Sequence, residues 1–207
     1  MPRKIESLFL EGPAGRLEAL LEEPEHGLPE EFALVCHPHP QHGGTMHNKV
    51  VYRIARGLRR SGSAVLRFNY RGVNLSEGAY DGGEGELDDA RAALSYLRER
   101  YPELPYTLAG FSFGSRIVLR LGCSQPGARR LIAVGFPATY KDRSYLDGCT
   151  TPRVFIQSTH DEFGPIAEIE PVVAALPEPK RLVLVEAQDH FFAGALDKLE
   201  EEIAKLG

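Results

Sequence analysis

The sequence predicts an α/β fold: an open, mostly parallel, twisted sheet with helices on both faces and an antiparallel hairpin at its N-terminal side. Three observations predict it. From residue 32 onward, short apolar runs alternate with amphipathic helical stripes, as parallel strands joined by crossover helices require. The runs are continuously apolar, as strands buried on both faces are. One run ends in Gly110-Phe111-Ser112-Phe113-Gly114 and passes directly into a helical pattern. A serine on so tight a strand-to-helix turn projects its Oγ from the top of a sheet, and the residues two before and two after it must be small.

The elements follow in order. Ile5 to Leu10 and Arg16 to Leu21 read as strands around the Gly12-Pro13-Ala14-Gly15 turn. Phe32 to Cys36 is a buried strand, and a loop rich in His, Pro and Gly follows it from His37 to His47. Asn48 is suited to cap a helix whose stripe is Val50, Val51, Ile54, Ala55 and Leu58. Ala64 to Phe68 is the next strand, and Asn69 to Gly85 is a long glycine-rich loop. Glu86 to Tyr101 is helical, with Leu87, Ala90, Leu94 and Leu97 on one face and Pro102 and Pro105 at its end. Strands are expected at Tyr106 to Ala109, Leu131 to Gly135, Val154 to Gln157 and Leu182 to Val185. Helices are expected at Ser112 to Cys123, Ile166 to Leu176 and Phe192 to Leu206. With no internal repeat, linker or low-complexity segment, one domain over residues 1–207 is expected.

Composition narrows the function. The 207 residues suit a sizeable core, and 43% hydrophobic with 26% charged residues is ordinary for a globular chain. A net charge of −5 without a basic run argues against nucleic acid as a partner. No apolar stretch reaches membrane-spanning length, and the N-terminal twelve residues have too short an apolar part for a signal peptide. Cys36, Cys123 and Cys149 lack metal-like spacing, so reduced thiols and a cytoplasmic location are expected.

Ligands of open parallel sheets bind beyond the carboxyl ends of the strands. Four such ends carry reactive groups here: the His37 to Gly44 loop, Ser112, Asp161 and His190. Serine needs a base within hydrogen-bond reach, and histidine titrates near neutrality. A carboxylate behind the imidazole fixes its tautomer. The order Ser112, Asp161, His190 is the one this sheet topology requires. Glu162, Asp189, Asp142 and Asp147 compete for the acid's place. Asp161 is preferred because it directly follows a buried strand. His160 is read as orienting the turn.

These residues resemble those of the α/β-hydrolases, over nearly the whole chain. The resemblance is nearest to small lidless serine hydrolases of carboxylesterase type with a His-Pro-His-Pro loop. It is carried by His37-Pro38-His39-Pro40 with Gly43-Gly44 and Asn48-Lys49, by Asn69-Tyr70-Arg71-Gly72, by Gly110 to Gly114, by His160-Asp161-Glu162 and by Asp189-His190-Phe191-Phe192. Asn74 departs from the pattern, where such relatives usually carry Gly. Asn tolerates a left-handed backbone, so the loop should persist. An oxyanion hole is then expected from two backbone N–H groups. One is that of Phe113, after the nucleophile. The other comes from the loop after Cys36, where Pro38 and Pro40 have none, leaving His39, or Gln41 further out; His39 is preferred.

The expected function is hydrolysis of small or short-chain carboxylic esters through an acyl-enzyme on Ser112, with no cofactor. A thioesterase or small-peptide hydrolase on the same residues is the first alternative, and a non-catalytic binding protein on the same fold the second. A dienelactone hydrolase is disfavoured, since that activity is associated with cysteine at the elbow. The 136–152 connection, where lidded relatives insert a cap, is too short for a helical lid. Phe111, Phe136, Tyr140, Phe163 and Phe191, with Phe113, are candidate apolar walls. His37, His39, His42 and His47 invite a zinc site, but no carboxylate is interleaved and a serine nucleophile needs no metal, so none is expected. His37 is read as pinning the loop. Arg71 either binds an anionic substrate or, as preferred, anchors its loop to a carboxylate such as Asp81 or Asp88.

Overall fold

The computed structural model describes residues 5–207, so the first four residues of the N-terminal stretch considered for a leader lie outside it. Eight strands form one sheet: β1 (Ile5–Gly12), β2 (Gly15–Glu22), β3 (Glu31–Cys36), β4 (Ser63–Phe68), β5 (Tyr106–Phe111), β6 (Arg130–Val134), β7 (Arg153–Ser158) and β8 (Lys180–Val185). Their spatial order is β1-β2-β4-β3-β5-β6-β7-β8. The β1–β2 hairpin joins β4 antiparallel, and every pairing from β4 to β8 is parallel. The chain leaves β3 toward β4 and returns on the other side of β3 as β5. The β3–β5 seam is therefore the switch point, where open α/β sheets form a crevice.

Five helices cover the sheet: α1 (Lys49–Arg60), α2 (Glu84–Arg100), α3 (Phe113–Ser124), α4 (Ile166–Ala175) and α5 (Leu196–Ala204). The period-two alternation of strands sorts β3 into two cores. Ala33 and Val35 pack with α1 and α5 through Val50, Ile54, Leu58, Leu199 and Ile203. Phe32, Leu34 and Cys36 pack with α2, α3 and α4 through Leu94, Leu97, Ile117, Leu121 and Ile169. Asn48 caps α1, its Oδ1 accepting the Val50 N–H at 2.8 Å. Asn74 adopts φ 48°, the left-handed backbone its side chain tolerates.

Three expectations need correction. The last helix begins at Leu196 rather than Phe192. Residues 189–195 are held in turns instead, with Phe192 at φ 57° and the Asp189 carboxylate accepting the Ala193 N–H at 3.0 Å. The helix expected from Glu86 starts at Glu84, and the Glu86 carboxylate accepts the Gly83 N–H at 2.7 Å. The third concerns the thiols: Cys123 and Cys149 are joined in a disulfide, and only Cys36 is free and buried among the described residues. Linear spacing hid this pair, because α3 and the 135–152 connection meet only in the folded chain. The bond ties that connection to the last turn of α3. The connection itself holds a single 3-10 turn, Ser144–Leu146, and no cap.

Thiol titration in denaturant should count one thiol of the three cysteines before reduction and all three afterwards. Three reactive thiols without reductant would contradict the pairing.

Candidate active site

The turn after β5 is compressed. A Cβ on Gly110 would stand 2.2 Å from the Gly114 carbonyl oxygen, and one on Gly114 would stand 2.3 Å from the Cys36 carbonyl oxygen. Both positions therefore require glycine. Ser112 sits between them at φ 56°, ψ −118°, a left-handed backbone for a residue with a side chain. Such a conformation costs on the order of 1–3 kcal/mol and persists only where the surroundings over-determine it. Here the Ser112 N–H is held by the Val134 carbonyl at 2.9 Å, and its own carbonyl accepts the Ser115 N–H at 2.9 Å.

The other two side chains arrive from the β7 and β8 tips. His190 Nε2 lies 2.9 Å from Ser112 Oγ, and His190 Nδ1 lies 2.7 Å from Asp161 Oδ2. Since Asp161 only accepts, Nδ1 carries the proton and Nε2 is left to accept from the serine hydroxyl. The Asp161 carboxylate is buried, yet every lone pair is used. Oδ2 also accepts from Gln157 Nε2 at 2.9 Å, while Oδ1 accepts the Phe163 and Gly164 N–H groups at 2.9 and 2.8 Å. A buried carboxylate so satisfied leaves no acceptor bare. Of its competitors, Glu162 accepts the His190 backbone N–H at 3.0 Å, Asp189 caps its own turn, and Asp142 accepts from Ser144. None of these three carboxylates meets the imidazole. His160 Nδ1 is 2.8 Å from the Ala187 carbonyl, joining the two loop tips.

Residues 39–169 match the family described as serine aminopeptidase, S33. The chain belongs to this family of α/β serine hydrolases. An uncharacterized protein of Rickettsia prowazekii is 33% identical over 95% of this chain and 86% of its own. Among solved structures, an α/β serine hydrolase homologue from Coxiella burnetii is 35% identical, with a TM-score of 0.92 over 97% of this chain and 96% of that one. A lidless serine hydrolase from Xanthomonas campestris is 34% identical, with a TM-score of 0.90 over 99% and 94% of the two chains. The esterase Est1E from Butyrivibrio proteoclasticus, at 16% identity and a TM-score of 0.85 over 96% and 97%, shares the fold.

In this hydrolase the loop after β3 is folded back on itself. The His37 ring is fully buried, its Nε2 accepting the Tyr70 N–H at 3.2 Å. Nδ1 therefore carries the proton and donates to the Pro38 carbonyl at 2.7 Å. In a trans peptide C=O and N–H point in opposite directions, so fixing that carbonyl also aims the His39 N–H. The His39 carbonyl accepts from His42 and Gly44 N–H groups. Among the described residues, the N–H groups of His39 and Phe113 have no acceptor. The His39 and His42 rings stack at 4.4 Å, and no cluster of three His, Cys, Asp or Glu among the described residues is placed to hold a metal.

Three wall candidates are buried, among them Phe113, whose ring packs against those of His39 and Tyr70. Phe111 and Phe136 are wholly buried, Phe111 beneath the His190 ring at 4.8 Å and Phe136 against Phe155. Each sits at a strand end, so its aromatic character alone could not separate core from wall. Phe163 and Phe191 do reach solvent and flank His190 at 4.9 and 5.4 Å, and Tyr140 is half-buried. Arg71 does anchor its loop, but to Asp89 rather than Asp81 or Asp88. Its Nε and Nη2 bond both oxygens of the buried Asp89 carboxylate, at 3.0 and 2.7 Å for the shortest pairs. Helical periodicity explains the choice, because Asp89 lies on the buried side of α2 with Ala90 and Glu86.

Gly114→Ala should lower the urea midpoint, overpacking of this kind costing about 1–3 kcal/mol. An unchanged midpoint would mean that the Cys36 carbonyl can withdraw. Burial pushes the His37 pKa down to about 3, so folding favours its neutral ring. Its stabilising contribution is whole above the ordinary value of 6.5 and is lost as pH falls toward 3. The urea midpoint of His37→Gln should therefore fall less steeply across that range than that of the wild type. Parallel declines would assign the acid sensitivity to other groups.

Proposed function

We propose that the protein is a carboxylesterase-type hydrolase of small or short-chain esters. The observation that carries this reading is the hydrogen-bonded series from Ser112 Oγ through His190 to Asp161, mounted on a strained turn with an open front. Ser112 Oγ attacks the ester carbonyl while His190 Nε2 takes its proton. The tetrahedral oxyanion is received by the His39 and Phe113 N–H groups, whose lack of any other acceptor supports this role. Each such donor is typically worth about 10²–10³ in turnover. The tetrahedral carbon then expels the alcohol, which leaves with the proton from His190. Water, deprotonated by His190, attacks the acyl-enzyme, and the returning proton restores Ser112 as the acid departs. Asp161 holds the imidazole tautomer and balances the imidazolium charge throughout.

The short, disulfide-tied connection after β6 leaves the serine uncovered, which favours compact esters over long lipids. No cofactor enters this scheme. Amide hydrolysis is the second reading, favoured by the family's aminopeptidase description. Matched ester, thioester and amide substrates separate the three by relative turnover.

A fluorophosphonate probe should label the protein at Ser112, and Ser112→Ala should lose labelling and turnover while keeping the wild-type circular dichroism. Asp161→Asn should retain the fold and lose about 10⁴ in turnover. Intact protein that neither labels nor hydrolyses any ester would overturn the esterase reading in favour of a binding role.

A further inference from the structure

One charged side chain on the first turn of α3 has no role so far. Arg116 lies one helical turn after the serine, its N–H reaching the Ser112 carbonyl at 3.4 Å. Phe113 and Arg116, three apart, share a helix face, and long side chains lean toward the helix N-terminus. The Arg116 side chain therefore leans toward the serine end of α3. Its guanidinium stacks on the Tyr140 ring at 4.8 Å. A Cβ placed on Gly83 would stand 3.1 Å from Arg116 Nη1 and 3.5 Å from the Phe113 ring, so guanidinium and ring are neighbours under that glycine.

Arg116 is half-buried and, among the described residues, has neither a carboxylate partner nor a side-chain hydrogen bond. Its Nε is buried outright without a partner. Glu84 and Asp142 feel its charge, but Glu84 pairs with Arg120 at 2.8 Å, Asp142 accepts from Ser144 at 2.8 Å, and neither forms an ion pair with Arg116. An arginine kept partly dry and unpaired is costly unless something else supplies the counter-charge.

A second donor lies beside it. The Gln41 N–H donates to His39 Nδ1 at 3.3 Å, so the proton of that ring sits on Nε2 and points at Tyr80 Oη, 3.1 Å away. Tyr80 Oη therefore accepts from His39, and its own O–H remains free to donate. The Tyr80 ring packs 6.3 Å from Phe113. Burial raises the pKa of both Tyr80 and Tyr140, and the Arg116 charge opposes the rise in each.

We propose that Arg116, with the Tyr80 hydroxyl, forms a carboxylate subsite beside Ser112, so that the preferred substrates are esters bearing a free carboxylate in their acyl or alcohol part. The planar guanidinium suits a carboxylate, and stacking on Tyr140 holds its plane. The inference rests on the esterase reading and narrows it.

Two matched pairs test it: a nitrophenyl glutarate hemiester against nitrophenyl pentanoate, and a carboxyphenyl butyrate against phenyl butyrate. In at least one pair the wild-type kcat/KM should favour the anionic member, and added salt should reduce that preference. Arg116→Gln should cut the preference ratio by about 10- to 100-fold, as loss of a hydrogen bond to a charged group implies. Arg116→Lys should keep part of it. The wild-type ratio and its salt dependence hold the test open even if the glutamine variant does not fold. Ester turnover with fluorophosphonate labelling but no anionic preference in either pair would overturn the carboxylate subsite alone. Equal losses on both members of a pair in Arg116→Gln would overturn it too. Absence of both turnover and labelling would instead remove the esterase reading beneath it.

Discussion

The Cys36 carbonyl lies so close to Gly114 that no side chain fits between them. That contact brings the end of β3 against the first turn of α3. The two donors that a serine hydrolase of this fold would need come from different strands, one after β3 and one after β5. They can face a common point only if the two loops touch through backbone alone. Gly110 permits the same closeness on the inner side of the turn, against the Gly114 carbonyl. The positive φ of Ser112 is the local cost of this arrangement, and the parallel β3–β5 register from Phe32–Tyr106 to Cys36–Gly110 imposes it.

Around that contact, several buried polar groups satisfy one another. His37 uses both ring nitrogens on backbone, Asp161 uses both oxygens on four donors, and Gln157 links Asp161 to the Gly164 carbonyl. Fully satisfied groups of this kind hold one geometry, because any rearrangement would leave a buried donor or acceptor bare. The imidazole of His190 is positioned by this second layer as much as by Asp161, since Glu162 also holds its backbone N–H.

Most of the architecture was legible because it is periodic. Strand Phe32 to Cys36 reads as buried on both faces, and its alternate residues do enter two different cores. The tight turn and the Asp161–His190 pairing were legible because tip residues are placed by the strands before them. What stayed hidden depends on contacts between distant segments. Nothing in linear spacing joins Cys123 to Cys149, turns Arg71 toward Asp89 rather than Asp88, or sinks Phe136 behind Phe155. The Phe192 to Leu206 helix was overextended for a different reason: apolar residues continue the stripe, but the Asp189 cap and Gly194 at φ 78° hold the chain in turns first.

Helix α3 gathers several of these dependencies into one rod. Its twelve residues span about 18 Å. Ser112 stands before its first residue, Arg116 follows one turn later, Arg120 pairs with Glu84 at the start of α2, and Cys123 closes the far end onto Cys149. The connection that carries Tyr140 is thus fastened to α3 by the disulfide, by the Thr151 hydroxyl on the Gly122 carbonyl at 3.4 Å and by the stacking of Tyr140 on Arg116. In a hydrolase without a cap, the front of the site has no covering domain to order it. Fastening that connection to the same helix that carries Ser112 at its start supplies the order instead, because any displacement of the connection must then strain the rod on which Ser112 is mounted.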